Sequence, residues 1–103
     1  MKSVLQKKID RCYFCGRPAV HKHHVFNGAN RKNSEEWGMT VHLCATCHEV
    51  VHTDQSLDEL LKRKAQHVFE ELHSREKFMQ VFKKNYCWEE DLLREKSSDN
   101  WKE

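Results

Sequence analysis

A chain of 103 residues, 33% of them charged and with a net charge of only +2, makes one domain or one small domain with a tail. No apolar run approaches the roughly 20 residues of a membrane span, and the opening MKSVLQKKID lacks the apolar core of a signal peptide. These features exclude a membrane-spanning helix in this sequence and lead us to expect a cytoplasmic protein, with a core so small that it needs a staple.

In chain order, residues 1–11 read as a basic lead-in, helical over its first ten residues. CYFCGRP (Cys12 to Pro18) is a cysteine-bearing turn, with Gly16 supplying backbone freedom and Pro18 ending it. AVHKHHVF mixes β-branched, aromatic and histidine residues and predicts a short strand. NGANRKNSEEWG is polar and rich in Asn and Gly, and predicts a long loop in which Trp37 packs inward. In MTVHLC, Met39, Val41 and Leu43 alternate with Thr40 and His42, which predicts a second strand. A helix is expected from Cys47. A longer one follows, capped by Ser56 with Glu59 and carrying Leu57, Leu60, Leu61, Ala65, Val68, Phe69 and Leu72 on its apolar stripe. Ser74 caps another helix with Phe78, Met79 and Phe82 inward. Residues 87–103 read as a charged tail with a fraying end, in which Cys87 is a partly buried or free thiol.

Charge is uneven along this order. Residues 1–50 carry eight Lys or Arg against four Asp or Glu, and residues 51–103 carry ten against twelve. Six of the eight histidines lie between His21 and His52. A basic, histidine-rich front half suits an anionic partner.

Four of the five cysteines form two C-x2-C pairs, Cys12 with Cys15 and Cys44 with Cys47. In a reducing compartment this spacing favours zinc over disulfides. Two such knuckles complete a closed, tetrahedral, structural Zn2+ site. With four thiolates on that ion, His48 and His52 are left over. Four residues apart on a helix, they share a face and can share a second metal. His23 and His24 are neighbours on a strand, so their side chains diverge. One of the two can join the helix histidines, and the other is left to take a proton from water. Three neutral nitrogen ligands with open positions suit metal-assisted hydrolysis.

The frame CYFCG, HKHHVF and LCATCHEVVH resembles the HNH endonucleases of the ββα-metal type, in their zinc-stabilised branch. HHVFNGANRKNSEEWGMTVHLC and SREKFMQVFKKNY are further similar to small phage- or prophage-encoded HNH proteins. The resemblance covers residues 12–86. It implies a small α+β domain, a zinc-bound ββα-metal unit with two additional C-terminal helices, in a phage-encoded or bacterial protein. It implies hydrolysis of DNA phosphodiester bonds with one catalytic divalent ion, Mg2+ or another, held by His23, His48 and His52. His24 is then the general base. In this family an Asn that orients the base stands at the place occupied here by Met39; Asn27, Asn30 or Asn33 is the candidate substitute, with Asn30 preferred for its place beside two cations. Arg31 and Lys32, those cations, are expected on backbone phosphates of DNA. The competing expectation is a non-catalytic zinc module that binds nucleic acid or protein.

Overall fold

In the computed structural model, residues 2–88, 90 and 92 are described. They form a small α+β fold with one two-stranded sheet and four helices. Strand β1 (His21–His24) runs antiparallel to β2 (Thr40–Leu43), pairing His23 with Val41 and His24 with Thr40. Helix α2 (Ala45–Thr53) follows β2 after a single residue, Cys44, and so lies directly against the sheet. No helix among the described residues is long and apolar enough to cross a membrane.

The segment between the strands is not the loop its composition predicts. It folds as a 3-10 turn (Gly28–Asn30) and helix α1 (Arg31–Trp37). RKNSEEW carries no apolar periodicity, so its helicity is set by tertiary partners. Ser34 is fully buried, donates to the carbonyl of Phe26 and accepts from its amide. Gly38 then ends the helix at φ +71, a left-handed conformation that a side chain disfavours. Trp37 packs as expected, its ring against Phe69 and His73.

The lead-in is not helical. Its residues lie along β2: the Val4 amide donates to Gly38, Ser3 Oγ donates to the Thr40 carbonyl, and Gln6 Oε1 accepts from the His42 amide at 2.7 Å. This strap covers a second side of β2. Thr40 is therefore fully buried along with Met39, Val41 and Leu43, although alternation alone places it outward.

Helix α3 (Gln55–Leu72) starts earlier than the Ser56–Glu59 box predicts. Asp54 is its cap, accepting from the Leu57 amide, and it also ends α2. Leu61, Ala65 and Phe69 are buried on its inner face, whereas Leu60 and Leu72 of the expected stripe are exposed. Ser74 does cap α4 (Arg75–Phe82), accepting from the Lys77 amide. Phe78 and Phe82 are buried, but Met79 faces outward. Phe26, Phe69, Phe78 and Phe82 form one aromatic core, with Phe26 and Phe82 ring centroids 4.5 Å apart. That core fixes β1 and the start of its outgoing loop against α3 and α4. Cys87 forms no disulfide and is buried more fully than expected. The expected fraying end lies outside the described residues.

Candidate metal centres

The two cysteine knuckles are built by local backbone rules. The first turns through Gly16 at φ +77, with the Gly16 amide on the Cys12 carbonyl and the Cys12 amide on the Arg17 carbonyl. A bridge between Arg11 and Pro18 closes it. The second is the start of α2, where Cys44 Sγ accepts from the Cys47 amide. The amide of Tyr13 donates to His42 and that of Val20 to Leu43, so both knuckles are referred to the same strand, β2.

The four sulfurs lie within 4.8 Å of one another, with Cys15 and Cys44 Sγ atoms 3.7 Å apart. A tetrahedral zinc with bonds of about 2.3 Å separates its sulfurs by about 3.8 Å, so the set can hold a metal ion such as zinc. The thiols also sense one another. Burial pushes Cys12 up, but backbone N–H groups of Cys44, Cys15 and Phe14 outweigh it and bring the thiol down to about 6. Burial, then hydrogen bonding with the other three thiols, pushes Cys47 up to about 12. One thiolate forms easily and the last resists. A central cation removes that conflict.

The second cluster grows from the divergence of His23 and His24. His23 points inward from β1 toward α2 and is 4% exposed. His48 and His52 come from successive turns of α2, with Nε2 atoms 3.0 Å apart. One ring nitrogen from each of His23, His48 and His52 lies within 4.8 Å of the others, the spacing of a set that can share one ion. His23 Nε2 is buried and has no hydrogen-bond partner among the described residues. A buried polar nitrogen left unpaired is costly, and a cation is one way to satisfy it. Burial, followed by the neighbouring His48 and His52, depresses the His23 imidazole from 6.5 to about 4. Burial, with His52 and His21 beside it, also lowers His48. These rings are thereby kept in the neutral form that metal coordination requires.

His24 faces the other way, toward α1. Its Nε2 lies 2.9 Å from Glu35 Oε2, and the second oxygen of Glu35 takes the Lys22 ammonium at 2.6 Å. Hydrogen bonds from Lys22 and then His24 hold the Glu35 carboxyl below its ordinary range, so it is ionised and accepts only. The proton on that contact therefore belongs to His24 Nε2.

Asn30, the expected orienting residue, is placed elsewhere. Its amide donates to the carbonyl of Phe82, and its oxygen accepts from Asn33, which in turn donates to Val81. Both asparagines tie α1 to the end of α4. Glu35 holds His24 instead. Sequence reasoning missed it because a glutamate in an expected loop carries no sign of which strand it meets. Only the helical pitch of α1 brings it over β1.

His23, His24, His48 and His52 line one open cleft of about 230 Å3, together with Lys22, Asn27 and Arg31. Arg31 thus lies at the histidine cleft. Lys32 lies on the adjoining surface depression with Arg31, His24 and Glu35. Both cations are exposed. No family model, curated protein or solved structure matches the chain.

Proposed function

We infer that the protein is a metal-dependent endonuclease that hydrolyses phosphodiester bonds in DNA. One observation carries the reading: the buried, unpaired His23 nitrogen sits with two further imidazoles at metal-sharing distance, in an open cleft that also holds a carboxylate-bound histidine. His23, His48 and His52 are the residues that would hold the catalytic ion. When bound, a divalent cation such as Mg2+ supplies charge stabilisation at the scissile phosphate and at the leaving oxygen.

The chain's own groups supply the rest. Glu35 fixes the tautomer and ring orientation of His24, and Nδ1 of His24 takes the proton of the attacking water. The resulting imidazolium is stabilised by the Glu35 carboxylate on its far side. Arg31 and Lys32 hold the phosphate backbone, which gives affinity without reading sequence. The likeness of CYFCG, HKHHVF and LCATCHEVVH to the HNH frame supports the same assignment. The cysteine site supports it indirectly, by locking the two ends of the unit that carries the histidines.

A second reading, a zinc module that binds nucleic acid or protein without cleaving, is favoured by one residue. Met39, at the place where the HNH pattern carries Asn, is a core side chain only 1% exposed. Supercoiled plasmid incubated with the purified protein separates the readings. Nicking with Mg2+, Mn2+ or Ni2+ that EDTA abolishes supports the nuclease. DNA retention without nicking under any divalent ion supports the module.

A further inference from the structure

Cys87 lies outside both centres, yet it is 1% exposed and its sulfur faces an imidazole and a carboxylate. Its Sγ is 3.8 Å from His67 Nε2, and Glu90 Oε2 is 2.7 Å from the same nitrogen. One donor atom each from His67, Cys87 and Glu90 lies within 4.8 Å of the others. We propose that these three residues form a third metal site, which takes one divalent cation of the zinc class and pins the chain after α4 to the middle of α3.

The arrangement does not suit a thiol-imidazole-carboxylate proton relay. A relay needs thiol and carboxylate on opposite ring nitrogens. Here Glu90 Oε2 is hydrogen-bonded to Nε2 and Cys87 Sγ lies against the same nitrogen, so the three donors face one space that an ion can share. The chemistry of the set also fits: one thiolate, one imidazole and one carboxylate are all ligands that zinc accepts. Loading such a site releases the Cys87 proton to solvent.

The site is also held in place from beneath. Gln66, fully buried next to His67, donates to Asn85 Oδ1 at 2.9 Å and accepts from the Tyr86 amide at 2.8 Å. Asn85 Oδ1 in turn accepts from the Cys87 amide. These bonds fix Cys87 opposite the helix turn that carries His67 before any ion binds. The sulfur is covered, but the His67 and Glu90 side chains are 43% and 37% exposed, so an ion can enter from their side.

The three clusters differ in sulfur content, and that difference makes the test. Protein holding zinc at its four-cysteine site is titrated with Co2+, with zinc content measured after each addition. The histidine cluster has no sulfur, so cobalt there gives no thiolate-to-metal charge-transfer band. The proposal predicts such a band in the parent while zinc is retained. It persists in His52→Ala, shifts to higher cobalt in Glu90→Gln, and is lost in Cys87→Ser. No band in the parent with zinc retained overturns the proposal, as does a band unchanged in Cys87→Ser. Should Cys87→Ser fail to fold, Glu90→Gln decides: a titration identical to the parent overturns the proposal.

Discussion

His23 and His24 are chain neighbours with opposite surroundings. The pleat sends His23 into the sheet's covered side, where burial and two further imidazoles depress it to about 4. It sends His24 to a carboxylate. The depressed His23 contributes a pH-dependent cost. Between pH 6.5 and about 4 the unfolded chain binds the proton that the folded protein refuses, so stability falls as pH falls through this window. Relative to a His23→Gln variant, metal-free at the histidine cluster, the parent should lose roughly 2 kcal/mol between pH 7 and pH 5. Urea unfolding of both proteins at the two pH values checks this; a constant difference contradicts it. The divergence of the pair was legible in the sequence, because it follows from strand geometry alone. The partner of His24 was not, because it depends on how far α1 turns before meeting β1.

At the scale of elements, the strands, α2 and α4 were legible from alternation, knuckle spacing and the Ser74 cap. Helix α1 was not: RKNSEEW has no apolar face, and its stability comes from the buried Ser34 hydroxyl and from asparagine bonds to the end of α4. The strap over β2 was missed for the same reason, since its hold is through backbone and polar side chains. Gly38 joins the two features. A Cβ there would lie 2.6 Å from the Lys2 carbonyl, in a backbone conformation side chains already resist. Gly38→Ala should therefore cost about 1–3 kcal/mol in thermal or urea unfolding. A loss within experimental error would contradict both the backbone strain at Gly38 and the close approach of the strap. The exposed cations on α1 make a separate claim. Changing Arg31 and Lys32 together to Ala should weaken DNA binding alike on different sequences and flatten its salt dependence. An unchanged salt slope in a binding titration removes them from the interface.

For the whole molecule, the four-cysteine set brings the chain before β1 together with the start of α2, and a metal held there would join the two ends of the histidine-bearing unit. A small core gains most from such a closure. Cys12→Ser, or prolonged chelation, should release zinc and cost the cooperative unfolding transition, read by elemental analysis beside circular dichroism. Full folding without zinc would contradict the staple.

The central claim is that this closed unit serves an open one, in which His24 moves a proton and its neighbours hold the ion. Single-turnover nicking of supercoiled plasmid, followed against divalent-metal concentration with zinc content in parallel, tests it most directly. His24→Ala should keep zinc and the parent's metal dependence yet cut the rate by about 10²–10⁴. His52→Ala should move the metal dependence to higher concentration, with cleavage partly restored there. A His24→Ala protein that nicks as fast as the parent contradicts the account.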